Sequence, residues 1–172
     1  MKQLLVWFLL LVSPIAFALK VGQEAPAFSL GGMANVKPGQ KLSLKDFKGK
    51  VVYLDFWASW CGPCAKSLPA LDEIRKKYAG RGFEVLAVNL DENPDDGLAF
   101  LRDHPVSYPV VYDPKGDVPS AYDVQGMPYA FIIDRQGKVH HIHAGYREGN
   151  EKKGEGDKVK IDLMVYELLG KK

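Results

Sequence analysis

Two cysteines, Cys61 and Cys64, are the only ones in the 172-residue chain, and two residues separate them. This spacing lets the second sulfur reach the first, so the pair can form and break a disulfide. A strand-like apolar run, 51–57, precedes the pair, and a helix-like run, 65–78, follows it. The free N–H groups and positive dipole end of a helix favour a thiolate at its start. The pattern therefore predicts reversible thiol–disulfide chemistry.

In such chemistry the two sulfurs have different roles. We expect Cys61 to be the exposed nucleophile with a lowered pKa, which attacks a partner's disulfide or is attacked by a partner's thiolate. Cys64 then resolves the mixed disulfide from a more buried position. A bridge that closes so short a loop adds little stability, so a purely structural disulfide explains the pair poorly.

Asp55 is the single charged residue in the apolar run before the cysteines. A carboxyl group buried there would have a raised pKa and could accept the proton of the Cys64 thiol. The alternative is an edge aspartate that faces water.

The first eighteen residues differ from the rest of the chain. Lys2 is their only charge, Leu4 to Val12 is apolar, and Ala16-Phe17-Ala18 has the small-x-small pattern of a cleavage site. We interpret residues 1–18 as a secretory signal peptide that is cleaved after Ala18. An uncleaved membrane anchor is the alternative, although the apolar stretch is short for a span of about 20 residues.

Composition is that of an ordinary globular protein, with 47% hydrophobic and 26% charged residues. The net charge of +2 and the interspersed charges give no support to nucleic-acid binding. The remaining residues, 19–172, are enough for one domain with a hydrophobic core, which we expect to be a monomer.

Periodicity and turn signals predict the order β-α-β-α-β-β-α after an irregular N-terminal hairpin. This order predicts parallel strands early in the chain and an antiparallel hairpin late in it. The elements expected after the first strand and helix are a strand 83–90, a helix from 94 to before 105, a strand 110–112, a helical turn 119–122, a hairpin 129–134 with 139–144, a charged loop 149–157 and a helix 161–169.

The run from Asp55 to Cys64, Pro69 and the tripeptide Gly126-Met127-Pro128 resemble the thioredoxin fold, and the exported TlpA/ResA-like thiol–disulfide oxidoreductases in particular. The resemblance covers nearly all of residues 19–172 as one thioredoxin-like domain. It implies an α/β fold with a central mixed sheet flanked by helices, an N-terminal hairpin extension and an inserted helix between Leu90 and Pro109.

The resemblance also implies a substrate surface. Pro128 matches the cis-proline that faces the disulfide, and Met127 before it would offer its N–H and C=O to an extended substrate strand. Trp60, Gly62 and Pro63 would flank the reactive sulfur. The alternative for Pro128 is an ordinary trans proline that opens a strand.

Two further positions bear on the resemblance. Ala87 stands where thioredoxin keeps a lysine beside its buried aspartate, and Glu92 stands where the TlpA/ResA-like group offers a glutamate. We expect Glu92 to be a second proton-handling or partner-selecting carboxylate. The alternative is a solvated loop residue.

The resemblance implies a periplasmic enzyme without a cofactor that reduces disulfides in exported proteins. Apocytochrome c and copper-site cysteines are candidate substrates, and a membrane thiol reductase would return the electrons. The Gly-Pro dipeptide between the cysteines favours a reductant over a strong oxidant. The alternatives are a disulfide oxidase or isomerase, and a copper- or zinc-binding metallochaperone that uses Cys61, Cys64 and the strand histidines His140, His141 and His143. We expect no metal, because structural zinc needs four ligands.

Overall fold

The computed structural model of the protein describes residues 19–170. The predicted signal peptide therefore lies outside the described residues. Seven strands form one sheet in the spatial order β2-β1-β5-β4-β3-β6-β7. The strands are β1 (Leu30–Ala34), β2 (Lys41–Leu42), β3 (Val51–Trp57), β4 (Phe83–Asn89), β5 (Val110–Tyr112), β6 (Tyr129–Ile133) and β7 (Val139–Ala144).

Four α-helices and three 3-10 turns connect and cover the sheet. The helices are α1 (Cys64–Tyr78), α2 (Pro94–Asp103), α3 (Asp117–Ala121) and α4 (Asp157–Leu169), and the 3-10 turns are Leu44–Phe47, Ala79–Arg81 and Glu151–Lys153. Within residues 19–170, no helix is both long enough and apolar enough to cross a bilayer.

The sheet is mixed, as predicted. β3 pairs in parallel with β4, and β4 with β5, whereas β6 is antiparallel to both β3 and β7. Every residue of β3 and β4 is buried, which explains their nearly continuous apolar sequences. The architecture is the predicted α/β thioredoxin fold, with α2 as the inserted helix between β4 and β5.

The N-terminal hairpin extends the sheet. β1 and β2 pair antiparallel, and β1 also pairs antiparallel with β5, so the hairpin continues the sheet beyond the edge of β5. The sequence predicted a hairpin that packs on the main fold, but its site of attachment is visible only in the structure.

Two helices begin earlier than the sequence predicted. α4 starts at Asp157, four residues before the predicted start, because the Asp157 carboxylate accepts the N–H of Arg147 at 2.7 Å and lies in the first helical turn. α3 starts at Asp117, because the Asp113 carboxylate accepts the N–H of Val118 at 2.8 Å. Both starts depend on side-chain acceptors that the apolar pattern does not reveal.

Candidate active site

The two cysteines form a disulfide at the end of β3, where the chain turns into α1. Backbone hydrogen bonds from Cys61 to Ala58 (3.1 Å) and from Cys64 to Cys61 (3.0 Å) form the turn, and Cys64 is the first residue of α1. The sequence predicted an exposed Cys61, which is wrong for the disulfide form: Cys61 is 4% exposed and Cys64 is fully buried. Cys61 packs into the core at the end of β3, and the solvent-facing residues of the turn are its neighbours.

Those neighbours form the rim of the disulfide. Trp60 is 70% exposed, and Gly62 and Pro63 are exposed as well. Trp60 therefore offers an exposed apolar surface next to Cys61 in the chain, and whether it contacts a substrate stays a prediction.

The Met127–Pro128 peptide bond is cis, as predicted. Pro128 is buried and Met127 is half-buried against the core that contains the disulfide. The Pro128 carbonyl accepts the N–H of Gly145 at 2.8 Å, which fixes the cis-proline to the residue that follows β7. Whether Met127 offers its backbone to a substrate stays a prediction.

Asp55 is fully buried, as predicted, in the middle of β3. Neither of its carboxylate oxygens has a hydrogen-bond partner within residues 19–170. Burial therefore raises the pKa of the Asp55 carboxyl well above its usual range. Its neighbours on the adjacent strands are Ala87 and Ala130, so Ala87 lies beside Asp55 where the resemblance placed it. Its part in proton transfer stays a prediction.

Glu92 lies in the loop between β4 and α2, and its side chain is exposed. Its backbone carbonyl accepts the Tyr112 hydroxyl at 2.7 Å. The structure therefore places Glu92 in the solvated environment that was the alternative to a proton-handling role. That role stays a prediction.

The preceding residue, Asp91, was missed by the sequence interpretation. Asp91 is 2% exposed, and its carboxylate accepts the N–H of Ser59 (3.0 Å), the hydroxyl of Ser59 (2.8 Å) and the amide of Asn89 (2.7 Å). It thereby connects the end of β4 to the loop that carries Trp60 and Cys61. Its position after a buried parallel strand was the available signal, because the carboxyl ends of parallel strands share one edge of the sheet.

Within the described part of the chain, the histidines of β7 are not grouped with enough further ligands for a metal centre. His141 and His143 point to one face of the strand, with ring centroids 6.5 Å apart, whereas His140 is exposed. Among residues 19–170, no group of three or more His, Cys, Asp or Glu side chains could hold a metal ion.

A cavity of about 440 Å³ lies against the first turns of α1. One side is lined by residues of α1 that include Lys66 and Pro69. The other side is lined by the segment that connects β7 to α4, from Tyr146 onward. This segment includes the charged loop 149–157, and reciprocal hydrogen bonds between Arg147 and Asp157 close it at its base. The loop is thus held as one wall of this cavity.

Comparison with known proteins identifies the family. Residues 20–159 match the family model described as Redoxin, which covers most of the chain. The chain belongs to the redoxin family. The thiol–disulfide oxidoreductase ResA of Bacillus thuringiensis is 38% identical over 121 residues, which are 70% of this chain and 68% of that protein. ResA of Bacillus subtilis is 36% identical over 128 residues, which are 74% of this chain and 69% of that protein.

Solved structures agree with this assignment. A crystal structure of a Chlorobium tepidum protein assigned as the thiol:disulfide interchange protein DsbE is 43% identical, with a TM-score of 0.76 over 89% of this chain and all of that chain. StoA of Bacillus subtilis is 25% identical, with a TM-score of 0.59 over 70% of this chain and 89% of that chain. This redoxin is therefore a ResA-like thiol–disulfide oxidoreductase with a disulfide between Cys61 and Cys64, and the part of each sulfur in the reaction stays a prediction.

Proposed function

We propose that this redoxin works outside the cytoplasm as a reductant of disulfides in exported proteins. The observation that carries the proposal is the Gly62-Pro63 dipeptide between two bonded cysteines at the start of α1. Thioredoxin, a reductant, has a potential of about −270 mV, whereas the strong oxidant DsbA is near −120 mV. The dipeptide shared with thioredoxin supports a reduction potential near the more negative of these two values.

The substrates we propose are apocytochrome c before haem attachment, or proteins whose copper-site cysteines must be reduced. In both cases the target is a cysteine pair in an extended, accessible segment. The exposed Trp60 next to Cys61 and the backbone of Met127 before the cis-proline would suit such a segment, which would add as a short strand.

Export and electron supply complete the proposal. The composition of residues 1–18 supports secretion to the periplasm, where a membrane thiol reductase would reduce the enzyme after each turnover. Such a donor is required because the periplasm is kept oxidising. An uncleaved N-terminal anchor would leave the same domain on the same side of the membrane.

The reduction potential of the Cys61–Cys64 pair tests the direction of electron flow. The protein is equilibrated in graded thiol–disulfide buffers, and the fluorescence of Trp57 and Trp60 reports the redox state. We expect a potential within about 30 mV of the thioredoxin value, which corresponds to a factor of ten in the equilibrium constant in either direction. The Cys64→Ser variant is the control, because it cannot form the bridge. A potential near −120 mV would contradict the proposal and indicate a disulfide oxidase.

The substrate proposal is tested separately. The reduced protein is mixed with an oxidised peptide that carries the haem-attachment sequence Cys-x-x-Cys-His, and with the same peptide in scrambled order. We expect faster reduction of the native order, and a mixed disulfide that accumulates in the Cys64→Ser variant. Equal rates for both peptides would refute apocytochrome c specificity without affecting the oxidoreductase activity.

The metallochaperone alternative predicts that the reduced protein binds copper or zinc through the same sulfurs. Metal titration of the reduced wild type and of Cys61→Ser distinguishes the two functions. We expect no stoichiometric binding that depends on Cys61, because no third ligand lies with the pair among residues 19–170.

A further inference from the structure

Four buried polar side-chain atoms have no hydrogen-bond partner within residues 19–170. They are both carboxylate oxygens of Asp55, Nε1 of Trp57 and Nε2 of His143. Buried polar groups are nearly always hydrogen-bonded, so a cluster of exceptions in an enzyme calls for an explanation. Two of these residues, Asp55 and His143, can take up and release protons.

The sheet register aligns these two residues. Asp55 on β3 lies opposite Ala130 on β6, and Ala130 lies opposite His143 on β7. Directly opposed residues point to the same face of a sheet, so the carboxylate and the imidazole extend to the same side, and Ala130 is the residue between them in the register. Two strand spacings separate their Cα atoms by about 10 Å. The methyl group of Ala130 takes up less room on this face than any larger side chain would.

A β-bulge is what brings His143 to this face. Ile132 pairs with His141 and Ile133 pairs with Val139, so His140 is the extra residue. Without the bulge, strict alternation would turn His141 and His143 to the same side as Val139, away from Asp55. Val139 packs in the opposite hydrophobic cluster, which agrees with this reversal.

His143 also connects the interior to solvent. Its side chain is 12% exposed, and its Nε2 lies 3.8 Å from the Asp157 carboxylate at the start of α4. His141 on the same strand, Lys160 on α4 and Arg147 in the preceding segment are the other titratable or charged groups near it. Burial lowers the pKa of the His143 imidazole, and Asp157 opposes this effect. The neutral ring therefore offers one nitrogen that can accept a proton at neutral pH.

We propose that His143 is the proton-exchange partner of Asp55, and that a bridging water links the Asp55 carboxylate to His143 Nε2 across the methyl group of Ala130. When Asp55 is protonated, its O–H donates to this water, and the water donates to the other carboxyl oxygen and to His143 Nε2. Three of the four unpartnered atoms would then be satisfied by about three hydrogen bonds, a typical number for a buried water. His143 is a positioning and proton-transfer residue that acts through Asp55. It does not contact the substrate.

The proton path balances with disulfide exchange. Cys61 thiolate attacks a substrate disulfide, forms a mixed disulfide and releases one substrate thiolate. Cys64 then loses its proton to Asp55 and attacks the Cys61 sulfur, which releases the second substrate thiolate and leaves the Cys61–Cys64 disulfide. The proton on Asp55 passes through the water to His143 Nε2, and the imidazole releases a proton to solvent. Reduction of the enzyme uses the same path in reverse, so the inference holds for either direction of electron flow.

Ellman's reagent separates the two steps in one experiment. The reduced protein releases one nitrothiobenzoate when Cys61 attacks and a second when Cys64 resolves the mixed disulfide, and both are followed by absorbance. For His143→Gln we expect an unchanged first phase and a second phase at least about threefold slower at pH 7.5. Towards pH 5 the two proteins should converge, because a protonated His143 cannot accept the proton. His141→Gln, on the same face but opposite Ile132, is the matched control and should behave as wild type.

A structural role for His143 predicts a different result. Loss of packing would slow both phases, or change the second by a factor that does not depend on pH, and either outcome overturns the proposal. His143→Thr is the second variant in case the glutamine variant does not fold, and urea unfolding checks both.

Nuclear magnetic resonance gives an independent test. Coupled groups change each other's titration by equal amounts, so Asp55→Asn should move the titration midpoint of His143 as far as His143→Gln moves that of Asp55. Carbon-13 labels in the aspartate carboxyl and the histidine ring report both midpoints. Midpoints that do not respond to the partner substitution overturn the proposal, whatever the substrate of the enzyme.

Discussion

The two faces of β3 are equally buried but differ in chemistry. On one side, Val52, Leu54 and Phe56 pack in a cluster of apolar side chains with residues of β4, β6 and α3; we term this the hydrocarbon face. On the other side, Tyr53, Asp55 and Trp57 face α1 and α4; we term this the polar face. Of the four buried unpartnered polar atoms of residues 19–170, three belong to Asp55 and Trp57 on the polar face, and the fourth belongs to His143 of β7, which points to the same side of the sheet.

This difference shows how one strand can contribute to the stability of the fold and to the reaction. Successive side chains alternate between faces, so a single run of seven residues can support the fold on one side and the reaction on the other. The hydrocarbon face is satisfied throughout: even Tyr122, buried there, donates its hydroxyl to the Pro26 carbonyl at 2.7 Å. The polar face carries Asp55, which is fully buried without a hydrogen-bond partner among residues 19–170; this burial costs stability, and proton transfer is the role predicted for the residue.

The largest stability effect is expected on the hydrocarbon face. Phe56 is fully buried and packs against Tyr122 and Phe131, with ring centroids 5.7 Å and 6.1 Å away. Phe56→Ala should lower the free energy of unfolding by about 3 to 5 kcal/mol, measured by urea denaturation. The reduction potential of the folded variant should stay unchanged. A shifted potential with little loss of stability would show that the two faces are not independent.

Asp55→Asn should raise the free energy of unfolding relative to the wild type, whereas Phe56→Ala lowers it. The pKa of Asp55 in the folded protein is raised by burial above its unfolded value of about 3.9. The folded state therefore holds a proton that the unfolded chain has already released, so the stability of the wild type falls as pH rises from about 4 towards the raised pKa. The variant lacks this penalty.

We therefore expect the difference in unfolding free energy between Asp55→Asn and the wild type to increase by up to about 1.4 kcal/mol per pH unit in that range. Urea denaturation at several pH values measures the gain, and the exposed Asp103→Asn on α2 is the control. Turnover should fall in Asp55→Asn while stability rises. A constant difference between variant and wild type at all pH values would mean that Asp55 ionises normally.

The sequence predicted the strand, the cysteine pair and the buried aspartate in this comparison better than it predicted the register between the strands. The apolar run of β3, the cysteine pair at the start of α1 and Asp55 within the run are all local features, and the structure has them where expected. The register is not local. Nothing in the sequence places the bulge at His140, so the sequence could not show that His143 and Asp55 share a face.

The same limit explains why the sequence could not predict the burial of Asp91 and Cys61 or the exposure of Glu92. Glu92 and Asp91 are adjacent acids in one loop, and only the packing of that loop decides that Asp91 is buried against Ser59 while Glu92 faces solvent. The burial of Cys61 likewise follows from tertiary packing, which the helix-dipole argument does not include.

These two acids provide a matched pair for the next prediction. Asp91→Ala leaves the Ser59 N–H and the buried Asn89 amide without their acceptor, so we expect a loss of about 1 to 3 kcal/mol in unfolding free energy. Glu92→Ala should change it by less than about 0.5 kcal/mol. Urea denaturation measures both. If Glu92→Ala instead lowers kcat/KM more than Asp91→Ala does, the proton-handling role predicted for Glu92 would be supported.

The smallest stability effect is expected outside both faces, at Trp60. Because Trp60 is 70% exposed, Trp60→Ala should change the free energy of unfolding by less than about 0.5 kcal/mol, in contrast to the aromatic Phe56 four residues earlier. Its effect should appear as a raised KM for a protein disulfide, with an unchanged rate for a small disulfide such as oxidised dithiothreitol. Steady-state kinetics with both substrates separates contact from chemistry. Equal losses of activity with both substrates would mean that Trp60 takes part in the reaction itself. The distinction between an exposed contact rim and a reactive polar face would then be wrong for Trp60.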